Sequence, residues 1–154
     1  MMRVRATVVA IAVSAAVVLS TLPTAAQPAC RPTPADALGP FYTPNAPERA
    51  ITCKGLVVTG AVRSGASCGP VARARIEWWS ANPRGEYDDA HSATEAAGAD
   101  GRYRYETDFP GTYPGRPPHL HVKVTAPGHR PLVTQIYPRP GQSAMEVDLV
   151  LTRE

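Results

Sequence analysis

The chain has 154 residues, 44% of them hydrophobic and 19% charged, with a formal net charge of +3. That length accommodates one ordinary domain, and that balance is globular rather than disordered. No basic stripe is interleaved with aromatic residues, which argues against nucleic acid as a partner.

Arg3 and Arg5 make a basic start, residues 7–22 are almost unbroken Ala, Val, Ile and Leu, and Thr24-Ala25-Ala26 offers small residues before Gln27. This order predicts a cleaved signal peptide over 1–26 and a secreted or periplasmic mature chain. The apolar run is short and ends in Pro23, so no stable membrane span is expected after cleavage. Cleavage takes Arg3 and Arg5 away and leaves acidic and basic side chains nearly balanced. Cys30 stands close behind the cut, but Gln27-Pro28-Ala29 lacks the leucine of a lipid-attachment signal, so lipid anchoring is not expected. All three cysteines, Cys30, Cys53 and Cys68, fall in the exported part, where disulfides form. Three single pairings are open; Cys53 with Cys68, which bracket an expected hairpin, is the expected one.

Residues 27–54 are proline-rich without periodicity and read as an extended arm, with Gly39-Pro40-Phe41-Tyr42 packing back onto the domain. Over 55–154 the pattern is β. Residues 56–62 are a compact apolar run closed by Arg63-Ser64-Gly65. Ala72, Ala74, Ile76 and Trp78 alternate with Arg73, Arg75, Glu77 and Trp79, so the two tryptophans face opposite ways. Asn82-Pro83-Arg84-Gly85 breaks that strand. Residues 88–100 are small and polar and read as a loop that turns at Ala99-Asp100-Gly101 into a strand over 103–106. Residues 109–118 hold four prolines and two glycines and must be loop. Strands follow over 119–126 and 132–137, and Met145, Val147, Leu149 and Leu151 alternate along the last. Some six strands with short turns and no helical period predict an all-β chain, a single-domain antiparallel β-sandwich.

His119 and His121 stand at i and i+2 of a strand and so share one face, where two neutral imidazoles can hold one metal ion. Tyr113 lies six residues before His119, with Arg116 between them, and Tyr87 closes the run Gly85-Glu86-Tyr87. Two His and two Tyr are an unusual donor set, because phenolate is a hard anion that suits ferric iron better than zinc or copper.

Four stretches taken together resemble the intradiol ring-cleavage dioxygenases, non-haem Fe(III) enzymes that open catechol rings between the two hydroxyls. They are Gly39-Pro40-Phe41-Tyr42, residues 76–87, Pro110-Gly111-Thr112-Tyr113 running through Arg116 to His121, and Thr134-Gln135-Ile136-Tyr137. They stand in the family's order across most of the chain after the signal. The resemblance implies a β-sandwich core and Fe(III) held by Tyr87, Tyr113, His119 and His121. It implies that Arg116 stabilises negative charge on the ring and that Gln135 orients the substrate. A small aromatic diol and O2 are the implied reactants, and a muconate-type diacid the product. The stretch from Tyr113 to His119 is shorter than in many members, which bears on the pocket wall. Tyr42 is expected to line the pocket; Tyr103, Tyr105 and Tyr137 lack the flanking motif. His91, in the small-residue loop, and His129, in a turn, are not expected as ligands.

Two other readings compete. A non-catalytic β-sandwich binding module at the cell surface accounts for export, size and strands, but not for Tyr-x5-His-x-His with a distant Gly-x-Tyr. Another His-x-His metalloprotein is the second. Copper/zinc superoxide dismutase needs more ligand histidines than the four present, and a cupin needs an acidic residue where Val122, Lys123, Val124 and Thr125 follow.

Overall fold

The computed structural model describes residues 30–112 and 114–154; the expected signal peptide and Tyr113 lie outside the described residues. Eight strands follow in chain order: β1 (Leu56–Ser64), β2 (Arg75–Ala81), β3 (Tyr87–Ala96), β4 (Arg102–Thr107), β5 (Leu120–Thr125), β6 (Leu132–Ile136), β7 (Ala144–Glu146) and β8 (Leu149–Leu151). No helix forms among the described residues, and so none there is long and apolar enough to cross a membrane. One sheet runs β3-β2-β5-β6, antiparallel throughout. In the other, β1 pairs antiparallel with β4 and parallel with β7 and β8. The chain is an all-β sandwich, as its alternation requires.

The core lies between the sheets. Val58 and Val62 of β1 meet Ile76 and Trp78 of β2 and Leu120, Val122 and Val124 of β5, all at most 1% exposed. Trp78 stacks on Tyr105 of β4 with ring centroids 4.7 Å apart, so one aromatic pair spans the two sheets. Trp79, one residue on, faces the opposite way, towards the site described below.

Residues 88–100 are not a loop. Residues 87–96 form β3, an edge strand whose inward residue Ala93 is fully buried opposite Trp78. Its free edge is covered by the arm: Arg49 N–H donates to Thr94 O, and the Arg49 guanidinium reaches the carbonyls of Asp89, Ala90 and Ser92. Protected edges of this kind tolerate small, polar residues, because the pairing comes from backbone rather than from side-chain bulk.

The last alternating run is also interrupted. Asp148 Oδ1 accepts the Ala61 N–H at 2.9 Å, taking the place of a strand carbonyl and dividing the run into β7 and β8. Gly60 of β1 makes room for this: a Cβ there would lie 1.8 Å from Val147 O.

Cys30 pairs with Cys68, not Cys53 with Cys68. β1 and β2 belong to different sheets, so the expected hairpin does not exist, and Cys68 lies in a crossover to which Cys30 N–H is tied through Gly65 O. A bridge across a sequence separation of 38 stabilises by about 4 kcal/mol on chain-entropy arithmetic. Cys53 stays a thiol.

Glu95 accepts a 2.8 Å hydrogen bond from Trp78 Nε1, and burial pushes its carboxyl up to about 7. Because the folded state holds this proton more tightly than the unfolded chain does, stability falls as pH rises from about 4.5 to 7, then levels. Glu95→Gln is therefore expected to stabilise the protein by roughly 2 kcal/mol at pH 8, after allowance for partial solvation, and to change little at pH 4. Denaturant midpoints at the two pH values check this; an equal shift at both would contradict it.

Candidate metal centre

β5 positions the site by simple alternation. Leu120, Val122 and Val124 enter the core, so His121 and Lys123 emerge on the outer face of the β3-β2-β5-β6 sheet. His121 pairs in register with Trp79 on β2 and Gln135 on β6, which places the three side by side. The Trp79 ring lies flat on the His121 imidazole, centroids 4.9 Å apart and 6° from parallel.

The arm roofs this row. Gln135 Nε2 donates to Ala37 O at 2.7 Å, and Asp36 N–H donates to Val133 O. Tyr42 packs on Trp79, donates to Glu77 Oε1 and accepts from Lys123 Nζ. Gly39 is where the roof touches the site: its φ is +75°, and a Cβ there would sit 3.0 Å from His121 Cε1. Only glycine meets both conditions without strain.

Three donor atoms converge beneath the roof. His119 Nε2 and His121 Nε2 are 3.1 Å apart, and Tyr87 Oη lies 3.3 Å from the first and 3.2 Å from the second. His119 Nδ1 donates to Pro117 O at 2.7 Å, which fixes the tautomer and leaves its Nε2 as a bare lone pair. Burial, and then the proximity of His119, press the His121 imidazole down to about 4, so it is neutral near pH 7. Both histidines are buried, 5% and 3% exposed. The Tyr87 ring stacks on Phe41 of the arm at 4.3 Å. Too few protons are present to hydrogen-bond every pair in this triangle. A cation at its centre would give each lone pair a partner, and edges of 3.1–3.3 Å are what ligand atoms about 2.0–2.2 Å from one ion span.

Arg116 stands beside the triangle. Its guanidinium donates to Gln135 Oε1 and, at 3.0 Å, to Tyr137 Oη. The Tyr137 hydroxyl lies 2.7 Å from Gln135 Oε1 and 3.2 Å from Asp36 Oδ2. Gln135 is thus engaged at both ends of its amide, by the arm and by Arg116. Tyr137 and Asp36 are site residues that sequence reasoning passed over. The i, i+2 spacing of Gln135 and Tyr137 was the available signal. A small cavity of about 40 Å³, open on one side, is lined by Gly39, Phe41, Tyr87, Arg116, His119, His121 and Gln135. A cleft of about 260 Å³ adjoins it beyond Phe41 and Tyr87.

The remaining tyrosines and histidines lie elsewhere. Tyr103 and Tyr105 are buried in the core. His129 sits in a turn, bonded to Pro127 O and Ser64 Oγ. His91 is buried on β3, not in a loop, and is not part of the triangle.

Comparison with known proteins places this arrangement. No family model matches the chain. The chain is similar to the dioxygenase domain of a dioxygenase–carbohydrate-binding protein fusion from Streptomyces sp. SirexAA-E, with 31% identity and a TM-score of 0.72 over 80% of this chain and 100% of that one. An intradiol ring-cleavage dioxygenase from Tetranychus urticae shares the fold at 19% identity, TM-score 0.70, over 80% of this chain and 95% of that one. In sequence, 73% of the chain is 33% identical to a 6-chlorohydroxyquinol 1,2-dioxygenase of Cupriavidus pinatubonensis, covering 52% of it. A hydroxyquinol 1,2-dioxygenase of Nocardioides simplex is 35% identical over 68% of the chain and 47% of its own length. The fold belongs to the β-sandwich class that these dioxygenases share. The chain belongs to the intradiol ring-cleavage dioxygenase family, and it spans about half the length of the curated relatives it matches.

Proposed function

We propose that this chain, exported from the cell, is an Fe(III) dioxygenase that opens a catechol-type ring between its two hydroxyls with O2, giving a muconate-type diacid. The observation that carries this reading is the convergence of Tyr87 Oη, His119 Nε2 and His121 Nε2 on one point. These three, with Tyr113, would hold the metal. Ferric iron, when bound, supplies chelation of both catechol oxygens and the electronic coupling that lets the ring meet O2.

The chain's own groups supply the rest. A catechol that chelates through both oxygens gives up two protons, of which a ligand phenolate Oη would accept one and solvent hydroxide the other. The arginine beside the triangle keeps its charge at any working pH and cannot itself take a proton. Held by Gln135 and Tyr137, it offers a preorganised positive charge where negative charge builds on the ring. Gln135 positions Arg116 and also lines the cavity, where it would orient the substrate. The 40 Å³ cavity is little more than one water's share of liquid, roughly 30 Å³. An aromatic diol would approach through the adjoining cleft of about 260 Å³ beside Phe41 and Tyr87. Hydroxyquinol and chlorocatechol rings, the substrates named for the relatives, head the substrate list.

Aerobic incubation of the iron-loaded protein with catechol, hydroxyquinol, protocatechuate and chlorocatechols tests this. Loss of the aromatic absorption with appearance of a ring-opened diacid is expected for at least one. No ring opening of any of them by protein that holds ferric iron would overturn the reading.

A further inference from the structure

With Cys30 and Cys68 paired, Cys53 remains a thiol, and the fold delivers it to a buried histidine that the iron centre does not use. Its neighbours come from distant parts of the chain. Cys53 ends the arm, His91 belongs to β3, and Asp108 follows β4 in the opposite sheet. His91 Nε2 is 3.7 Å from Cys53 Sγ and 3.1 and 3.3 Å from the two oxygens of Asp108. Asp108 Oδ1 is buried and has no hydrogen-bond partner. On the far side of the ring, His91 Nδ1 meets Asp88 Oδ1 at 2.5 Å.

We propose that Cys53, His91 and Asp108 form a second metal site, for a borderline-soft divalent cation of the zinc type, with Asp88 as the carboxylate that orients His91.

Geometry supports this first. The three donor atoms lie within 4.8 Å of one another. Around a tetrahedral zinc, with bonds of about 2.3 Å to sulfur and 2.0–2.2 Å to nitrogen and oxygen, neighbouring ligands stand about 3.3–3.6 Å apart. The distances at His91 Nε2, 3.1 to 3.7 Å, bracket that spacing. The tautomer is right as well: Asp88 accepts the Nδ1 proton, which turns the Nε2 lone pair towards Cys53 and Asp108, the carboxylate–histidine–metal pattern. The donor chemistry separates the two centres, since hard phenolates suit ferric iron and a thiolate suits zinc. Three protein ligands leave one position for water.

Without a cation the cluster holds protons instead. Burial and Asp108 push the Cys53 thiol up. Burial opposes charge on His91, but the hydrogen bonds to Asp88 and Asp108 outweigh it and raise its imidazole. A divalent ion replaces the thiol proton, which goes to solvent, and takes the Nε2 lone pair, so the site becomes less negative by one charge and the thiol is covered. It would also tie the arm, β3 and the end of β4 together.

Cobalt(II) titration of the purified full chain tests the proposal, because a cobalt–thiolate bond gives a near-ultraviolet charge-transfer band that phenolate and imidazole ligands do not. We expect one equivalent to develop this band, zinc to displace it, Cys53→Ser to abolish it, and Asp108→Asn to weaken binding at least tenfold. The band should persist in His119→Ala, which separates this site from the iron centre. As a second readout, zinc should slow alkylation of Cys53 in the folded wild-type chain at least tenfold, and a chelator should restore the rate. A cobalt complex without the thiolate band, a band that survives Cys53→Ser, or an alkylation rate indifferent to zinc would each overturn the proposal.

Discussion

His121→Ala is expected to leave a folded β-sandwich that retains almost no iron. The side chain lies on the outer face of β5, under the arm, while the core-facing Leu120 and Val122 are untouched. The cost to the fold is therefore the loss of the Trp79 stack, not a hole between the sheets. The cost to the metal is one of four proposed protein ligands. Iron per chain should fall from about one to near zero, and the visible tyrosinate-to-iron colour and all ring cleavage should go with it. His119→Ala should behave alike. Tyr87→Phe, which keeps the ring on Phe41 but removes the donor oxygen, should lose part of the visible band. Full iron occupancy in His121→Ala, measured by metal analysis after desalting, would remove this histidine from the ligand set.

Arg116→Ala should do the opposite: keep iron and colour and lose turnover. The guanidinium is bonded to Gln135 and Tyr137, not to the donor triangle, so its removal leaves the ligands in place. It takes away one preorganised charge beside the reacting ring, a change that typically lowers kcat on the order of a hundredfold to a thousandfold. Arg116→Lys should rescue only in part, because a point charge on a flexible stem cannot satisfy Gln135 and Tyr137 with a planar fork. Gln135→Ala should show a smaller loss of the same kind, expressed in kcat more than in iron content, as suits a residue that holds Arg116. Unchanged turnover in Arg116→Ala would make the arginine a structural tie between β6 and the loop that precedes β5.

Much of the fold was legible in short-range pattern. Leu120, Val122 and Val124 alternating with His119, His121 and Lys123 specify both β5 and the side on which the site lies, because the period of a strand is two. Trp78 and Trp79 divide between core and site for the same reason. What escaped is long-range. β3 lacks large β-formers because its edge is paired at Thr94 by Arg49 of the arm, more than forty residues away in sequence. Proximity along the chain favours Cys53 with Cys68, whereas the crossover from β1 to β2 carries Cys68 to Cys30 at the start of the arm. The run ending in Leu151 is divided by a single side chain, Asp148, acting as a carbonyl. The Arg116 contact to Gln135 and Tyr137 and the Cys53–His91–Asp108 cluster each join segments far apart in the chain; the i, i+2 spacing of Gln135 and Tyr137 shows only that those two share a face.

The central claim is that the Tyr/His centre carries out intradiol cleavage. The most direct test is a turnover of catechol or hydroxyquinol by the ferric protein under isotopically labelled dioxygen, with the ring-opened product weighed by mass spectrometry. The account predicts a muconate-type diacid carrying both labelled oxygen atoms, made by the wild-type chain and not by His121→Ala. A product opened beside the hydroxyls rather than between them, or a diacid without label from dioxygen, would contradict it.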